Sequence, residues 1–244
     1  MQSRAGGGNN EDQAQVDPGD DDVGGSCEAA PGDATGEATF YDATGAGNCS
    51  FDPSPGDLMV AAMNQADYGT ADLCGSCVEV DGPDGSVVVR IVDQCPGCAK
   101  GDVDLSREAF GMIAPLSAGR VEITWRQVAC EVSGPIAYHF KDGVNPFYAA
   151  IQLRNHRYPI AKVEVERDGA YVEIARLEYN YFVEASGLGD GPYALRVTDT
   201  RGHVLEDVGG GARRRRHPFG LGAVPAMSVI VFTASGGQKN HRRG

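Results

Sequence analysis

The cysteines restrict the possible folds of this 244-residue chain more than any other feature. Six of the seven lie between residues 49 and 130, and the seventh, Cys27, stands apart near the N-terminus. The six are Cys49, Cys74, Cys77, Cys95, Cys98 and Cys130. A dense, even-numbered set in one segment is typical of a disulfide framework formed in an oxidising compartment. We therefore expect a secreted protein whose first half is cross-linked.

Two Cys-x-x-Cys pairs within this set leave three interpretations open. The pairs are separated by 17 residues, which matches a zinc-ribbon template, and a Cys-x-x-Cys can also be a redox dithiol. Disulfides are favoured because Cys49 and Cys130 flank the pairs and supply bonding partners. The segment between the pairs also has the pattern of an ordinary β-hairpin, which would hold the cysteines at strand ends. We expect disulfides, with no metal ion and no other cofactor.

Charge is distributed unevenly along the chain, whose formal net charge is −13. Residues 1–35 contain eight acidic residues and one basic residue, whereas residues 208–244 contain seven basic residues and no acidic one. The net negative charge disfavours nucleic acid as a partner. Because the sequence has no run of about 18 apolar residues, no membrane-spanning helix is expected. The N-terminus lacks the apolar core of a secretion signal, so export is inferred from the cysteines.

Composition and strand patterns divide the chain into four parts. Residues 1–35 have almost no apolar side chains to bury and are predicted to be a disordered acidic tail. Residues 36–131 are predicted to form a disulfide-rich β domain. Residues 132–235 have evenly spaced strands of period two, which indicate a β-sandwich. Residues 236–244 are expected to form a second disordered tail.

One helix is predicted within the first β domain. The segment "LSREAFGMIA" places Ala109, Phe110 and Ile113 on one face, and Ser106 is suited to cap its N-terminus. The segment "GDLMVAAMNQADYG" is predicted to be a short helix or a loop. The other segments alternate as strands do, including a hairpin through the turn "DGPDG".

Several sequence blocks, taken in order, resemble the two domains of expansins, with bacterial forms the most similar. The blocks are "GEATFYD", "GNCS", "LCGSCVEV", "VVVRIVDQCPGCAKGDVDLSREAF", "GRVEITWRQVAC", "PFYAAIQLRNHRYPIAKVEVERDGAYVEIARLEYNYF" and "LRVTDTRGHVLED". The resemblance implies an all-β fold, in which a six-stranded double-psi β-barrel is followed by an immunoglobulin-like β-sandwich. It also implies the disulfides Cys49–Cys74 and Cys77–Cys130, which leaves Cys95 to pair with Cys98.

The resemblance identifies candidate residues for a groove in the first domain. Asp104 matches the critical acid of the family, and such an acid needs a pKa raised by burial. Asp93 and Thr39 match polar residues of the same groove that would hydrogen-bond Asp104 or a sugar, and Tyr41 is a candidate groove aromatic. Judged without the resemblance, an aspartate in such a stretch is more often a turn-capping residue. Cys95 stands where many bacterial relatives have a tyrosine, so one stacking surface is expected to be lost.

A second carboxylate would decide whether the groove can hydrolyse a glycoside. Inverting hydrolysis needs a base about 6.5–9.5 Å from the acid, and the family lacks that base. Asp42 follows "TFY" near the position where related endoglucanases have theirs, although an aspartate there is more often the start of a turn. Asp102 would share a face with Asp104 if it lay on the same strand, and would not if it lay in a turn.

The second domain is expected to bind a flat, neutral polysaccharide through aromatic rings. Family positions for such rings are matched by Phe147, Tyr148 and Tyr179, and Lys141 matches a basic residue beside them. Adjacent residues of a strand face opposite sides. Phe147 and Tyr148 can therefore both face outward only if the local strand geometry is broken, and otherwise one of them belongs to the core.

Together these features predict a secreted, monomeric protein that binds cellulose or another cell-wall polysaccharide and loosens it without hydrolysis. Asp104 would act by proton donation or by a hydrogen bond to sugar, and neither nucleic acid nor a membrane would be a partner. The alternatives are a weak glycoside hydrolase or lytic transglycosylase acting on glucan or peptidoglycan, and a carbohydrate-binding module.

Overall fold

Six strands close into a barrel in the first domain of the computed structural model, which describes residues 33–210. They are β1 (Ala34–Tyr41), β2 (Val60–Asn64), β3 (Cys77–Gly82), β4 (Gly85–Cys95), β5 (Val103–Ser106) and β6 (Val121–Val128). Their order around the barrel is β1-β5-β2-β4-β3-β6, and β6 pairs with β1 to close it. The β1–β5 and β2–β4 pairs are parallel, whereas the others are antiparallel. This confirms the predicted six-stranded barrel.

The predicted helix closes one end of the barrel core. It is α2 (Arg107–Ile113), and the Ser106 hydroxyl caps it by accepting a 3.0 Å hydrogen bond from the Ala109 backbone N–H. Ala109, Phe110 and Ile113 are all fully buried, as the spacing predicted. A single 3-10 turn, Leu116–Ala118, follows the helix.

Two short strands of the barrel differ from the sequence prediction. The segment predicted as helix or loop contains the strand β2, and only its last part is helical, as α1 (Gln65–Tyr68). All five residues of β2 are buried, so the strand lacks the apolar–polar alternation by which strands are recognised. β5 has only four residues and was not predicted at all.

Seven strands form the second domain. They are β7 (Ala137–Phe140), β8 (Ala149–Arg154), β9 (Ile160–Arg167), β10 (Ala170–Arg176), β11 (Phe182–Glu184), β12 (Tyr193–Asp199) and β13 (Val204–Gly210). β10 pairs with both β9 and β11, which joins a β13-β12-β9-β10 layer to a β11-β8-β7 layer. The core lies between the layers and includes Leu153 and Phe182 from one and Val163 and Leu195 from the other. This arrangement agrees with the predicted β-sandwich.

The three predicted disulfides are all present, as Cys49–Cys74, Cys77–Cys130 and Cys95–Cys98. The first two are buried, and the third closes a turn at the end of β4 and is partly exposed. Because every one of these six sulfurs is bonded to another, none is the thiolate that a zinc site would need. Cys27 lies outside the described residues, as do most of the predicted N-terminal tail, residues 211–235 of the predicted sandwich and the whole of the C-terminal tail.

Buried polar contacts join the two domains. The Gln152 side-chain amide, which is fully buried, donates hydrogen bonds to the backbone carbonyls of Cys49 (2.7 Å) and Ser50 (3.2 Å). The buried amide of Asn180 also donates to the Cys49 carbonyl, at 3.2 Å. Arg154 pairs with Asp52 at 2.7 Å across the same junction. Each buried amide would lose its partner if the domains separated, so the contacts favour one relative orientation.

Further contacts tie the junction to the disulfides. The Cys130 backbone N–H donates to the carbonyl of Arg157 at 2.9 Å, and Arg176 pairs with Asp72 at 2.7 Å. The Cys49–Cys74 disulfide joins the two barrel loops that contact the second domain. No helix within residues 33–210 has the length and apolar character needed to cross a bilayer.

His156 is buried in the same junction, beside Gly75 of the barrel. Its Nδ1 lies 2.9 Å from the carbonyl oxygen of Tyr158. Burial lowers the pKa of His156 from 6.5 to about 4, because the charged ring would lose its water.

Acid should therefore destabilise the protein through His156. The unfolded ring gains a proton below pH 6.5 and the folded ring only below about pH 4, so this contribution is full above pH 6.5 and is lost as the pH falls toward 4. The free energy of unfolding should fall by about 1.4 kcal/mol per pH unit within that window. Urea unfolding from pH 4 to 7 measures it.

The variant His156→Gln should lack this part of the pH dependence. The exposed His203 provides the control, and His203→Gln should keep the wild-type slope. Equal slopes in His156→Gln and the wild type would contradict the assignment.

Candidate functional site

A row of four residues crosses the outer face of the barrel. The strand registers pair Thr39 with Asp104, Asp104 with Ala62, and Ala62 with Asp93. Residues in register on neighbouring strands point to the same side, and the flanking residues Ala61 and Leu105 are buried in the core. The row therefore faces outward, with the alanine between the two carboxylates. Neighbouring strands are about 4.8 Å apart, so the Cα atoms of Asp93 and Asp104 are about 10 Å apart.

Asp104 is half-buried and bonded to Thr39. The Thr39 hydroxyl donates a 2.6 Å hydrogen bond to Asp104 Oδ1. Burial raises the pKa of Asp104, the nearby charge of Asp93 raises it further, and the hydrogen bond from Thr39 together with the charge of Arg120 works against the rise. A carboxyl with a raised pKa keeps its proton to a higher pH than an ordinary aspartate, and while it is protonated it can donate a hydrogen bond or a proton.

Asp93 lies under a loop that is held against it. Its Oδ1 accepts hydrogen bonds from the backbone N–H groups of Asn48 (2.6 Å) and Gln94 (2.8 Å). A Cβ at position 47 would overlap the Asp93 carboxyl group, so glycine lets the loop approach this closely. One carboxylate oxygen is thereby occupied by backbone donors.

Tyr41 lies two residues after Thr39, on the same face of β1. Burial raises the pKa of the Tyr41 hydroxyl, and the charges of Asp93 and Asp104 raise it further. The hydroxyl is buried and has no hydrogen-bond partner within the described residues. It is thus a polar group close to both acids, with unused hydrogen-bonding capacity.

The other two aspartates considered for the groove have partners elsewhere. Asp42 pairs with Arg107, at the start of α2, at 3.1 Å. Asp102 precedes β5 and accepts hydrogen bonds from the backbone N–H groups of Glu37 (2.9 Å) and Ala99 (3.0 Å). Asp102 therefore stabilises a turn and does not share the strand face of Asp104.

Cys95 lies two residues after Asp93 at the end of β4, so its disulfide with Cys98 is next to the groove. By the family resemblance, Cys95 stands in place of the tyrosine of many bacterial relatives, and the structure places a disulfide there. The groove wall here is a covalently closed turn.

Phe147 lies at the tip of a tight turn in the second domain. Asn145 and Tyr148 exchange backbone hydrogen bonds of 2.9 and 3.1 Å, which leaves Pro146 and Phe147 as the two turn residues. The Asn145 side-chain oxygen accepts a 2.9 Å hydrogen bond from the Phe147 backbone N–H. Phe147 is 81% exposed, and Tyr148 is only partly buried. The turn therefore resolves the alternative raised by the sequence, because neither ring belongs to the domain core.

Tyr148, Tyr179 and Lys141 are close together beside this turn. Partial burial raises the pKa of Tyr179, and so do the charge and the hydrogen bond of the neighbouring Tyr148 hydroxyl. The Lys141 ammonium group lies 4.6 Å from the centre of the Tyr179 ring and 5.4 Å from that of Tyr181. Such cation–π contacts hold a ring in place. We call Phe147, Tyr148 and Tyr179 the aromatic patch.

Three residues near the groove were not identified from the sequence. Ala62 lies between the two acids, and the charge of Arg120 lowers the pKa of Asp104. Asn48 contacts both Asp93 and the second domain. A lone alanine, arginine or asparagine carries no motif of its own. Only the neighbouring glycine and cysteine, Gly47 and Cys49, indicate that the loop of Asn48 is constrained.

The barrel with its outward acid row and the adjoining sandwich define a two-domain protein of the double-psi β-barrel class. A family model described as "Lytic transglycolase" matches residues 33–125, which span most of the barrel. Expansin-YoaJ of Bacillus subtilis (strain 168) is 41% identical over 162 residues, covering 65% of this chain and 69% of that protein. The chain belongs to the expansin family.

More distant relatives and solved structures agree with this family. Expansin-like protein 1 of Dictyostelium discoideum is 30% identical over 182 residues, and the match spans 63% of that protein. The crystal structure of the Clavibacter michiganensis expansin superposes with a TM-score of 0.69 at 33% identity, covering 74% of this chain and 92% of that one. A mutant of the same expansin, solved in complex with cellohexaose, matches equally well.

The environment of Asp104 predicts opposite effects of two substitutions on its pKa. Thr39→Val should raise the pKa further, because it removes the hydrogen bond that stabilises the ionised form. Asp93→Asn should lower the pKa, because it removes a repulsive charge. Carbon-13 NMR titration of the Asp104 carboxyl group measures both effects.

Asp42→Asn serves as the matched control and should leave the titration of Asp104 unchanged, since Asp42 pairs with Arg107. The assignment would be contradicted if Thr39→Val lowered the pKa of Asp104, or if Asp93→Asn raised it.

Proposed function

We propose that this protein is exported, binds cellulose or another plant-type cell-wall polysaccharide, and loosens it without hydrolysing it. The aromatic patch of the second domain would hold the polymer, and the groove of the first domain would exchange hydrogen bonds with it. In this proposal Asp104, Asp93 and Thr39 act on the sugar hydroxyls, while Tyr41 lines the groove. The chain would act as a monomer.

The observation that carries the proposal is the unequal setting of the two acids. Asp104 has a raised pKa and can donate, whereas Asp93 Oδ1 already accepts two backbone hydrogen bonds. Hydrolysis would also need a carboxylate that is free to activate water. A donor beside an occupied acceptor suits the exchange of hydrogen bonds with neighbouring glucan chains better than bond cleavage.

The aromatic patch supports a flat and neutral ligand. Sugar rings present axial C–H groups, and an exposed aromatic ring buries apolar area against them without needing charge. Phe147 is exposed to a degree that is unusual for a phenylalanine in a folded protein, and the Asn145 side chain accepts a hydrogen bond from its backbone N–H. The cellohexaose bound to the Clavibacter michiganensis expansin is a ligand of this chemical type.

Hydrolysis or transglycosylation remains the second candidate function. The Cα atoms of Asp93 and Asp104 are separated by two strand spacings, about 10 Å, which brings their carboxyl groups near the range used by inverting enzymes. The backbone bonds to Asp93 and the pairing of Asp42 with Arg107 disfavour this alternative.

Binding to the polymer and loosening of the wall should be affected by different substitutions. Phe147→Ala should weaken binding to cellulose by about five- to tenfold, since an aromatic contact contributes about 1 kcal/mol beyond its buried area. Asp104→Asn should abolish the extension of wall strips under load and leave binding to cellulose nearly unchanged. Depletion isotherms on cellulose and creep measurements on heat-inactivated walls provide the two readouts.

Tyr171→Ala is the matched control for Phe147→Ala. Tyr171 is a partly exposed ring near the start of β10, and Tyr179 of the aromatic patch follows the end of that strand. The Tyr171 ring packs against Arg196, and its loss should not affect binding to cellulose. Steady release of reducing sugar by the wild type, lost in Asp104→Asn, would replace the proposal with the hydrolytic alternative. Unchanged wall extension in Asp104→Asn would leave a binding module only.

A further inference from the structure

We propose that Asn48 is a positioning residue that aligns the groove of the first domain with the aromatic patch of the second. This inference rests on the function proposed above and assigns a role to a residue outside both binding surfaces. The inference depends on one observation. The backbone of Asn48 is hydrogen-bonded to Asp93 in the groove, and its side chain is hydrogen-bonded to the second domain.

The backbone of Asn48 is fixed by the groove. Its N–H donates the 2.6 Å hydrogen bond to Asp93 Oδ1, and the absence of a side chain at Gly47 lets the loop lie directly on that carboxyl group. On the other side, Cys49 is joined to Cys74 and its carbonyl accepts the amide of Gln152. The position of Asn48 relative to Asp93 is therefore determined on both sides.

The side chain of Asn48 reaches the second domain. Its Nδ2 donates to the backbone carbonyl of Glu178 at 3.0 Å and to the hydroxyl of Tyr68 at 2.9 Å. The Tyr68 hydroxyl donates to the same Glu178 carbonyl at 2.8 Å. Glu178 immediately precedes Tyr179, so this closed set of three hydrogen bonds ends one residue from the aromatic patch.

An amide is the chemical group that this position requires. The acceptor at Glu178 is a carbonyl oxygen, which needs donors, and Nδ2 is the one atom of the Asn48 side chain that can donate to it beside the Tyr68 hydroxyl. A carboxylate of the same shape would place two acceptors face to face. Because Asn48 is exposed, its bonds compete with water and contribute little to the stability of the fold. The buried Gln152 and Asn180 amides set the overall orientation of the domains, and the Asn48 bonds add a local restriction on where the aromatic patch lies relative to the acids.

The dependence of affinity on ligand length tests this role. In this proposal cellotriose is a ligand of the aromatic patch alone, and cellohexaose is a ligand that also contacts the acid row. In Asn48→Ala the affinity for cellohexaose should fall about five- to tenfold, and that for cellotriose should stay within about twofold of wild type. Calorimetric titration of both oligosaccharides measures the ratio, which a loss of stability alone would not change.

Tyr68→Phe provides a second route to the same result. It removes the other donor to the Glu178 carbonyl and should lower the cellohexaose affinity selectively. Because both residues act on one acceptor, the double variant should lose less than the product of the two single effects. An additive double variant would overturn the shared role.

Asn155→Ala is the matched control. The Asn155 amide also joins segments, donating to the carbonyls of Ser133 and Pro135 at 2.8 Å, but these lie away from the groove. It should leave the ratio of the two affinities at its wild-type value. The inference is overturned if Asn48→Ala keeps that ratio, or if Asn155→Ala changes it to the same extent. A wild-type protein that binds neither oligosaccharide would overturn the proposed function, and the inference with it.

Discussion

The hydrogen bonds from the Gln152 and Asn180 amides to the backbone carbonyl of Cys49 determine how the two domains meet. Both amides are buried, and a buried donor without an acceptor destabilises a protein by about 1–3 kcal/mol. The domains therefore cannot rotate against each other without leaving several such groups unpaired. Because Cys49 is covalently bonded to Cys74, the loop that accepts these bonds is itself held to the barrel. The junction therefore holds the acid row and the aromatic patch in one arrangement relative to each other.

The two aspartates of the groove, Asp104 and Asp93, differ in burial and in hydrogen bonding. Asp104 sits in a partly buried place where protonation is favoured, while the backbone of a neighbouring loop donates to Asp93. Enzymes that use acid pairs depend on environments that separate the two roles. Here the separation leaves Asp104 with a raised pKa and Asp93 with one oxygen that accepts two backbone hydrogen bonds. The loosening proposed above depends on this difference between the two acids.

The sequence predicted the long, strongly patterned elements and the disulfides. The cap at Ser106 and the buried face of α2 followed from spacing, and the hairpins followed from their turns. The short strands β2 and β5 could not be predicted. All five residues of β2 are buried, so it has no alternation, and β5 has only four residues, whose strand partners are distant in sequence. The residues of the acid row could be identified only through the resemblance, because Thr39 and Asp104 are brought together by the pairing of β1 with β5 and not by nearness in sequence. The roles of Ala62 and Asn48 depend wholly on tertiary contacts, for which local sequence has no signal.

In the turn that carries Phe147, the backbone geometry does not depend on which side chain occupies the exposed position. Its geometry is maintained by Asn145 and by the close approach of Gly187, which has no side chain to displace it. Within residues 33–210, the phenylalanine ring is not part of the interior of the sandwich. Exchange of this ring for a larger or smaller one is thus compatible with an unchanged sandwich, so the exposed surface can vary in evolution without passing through unstable intermediates.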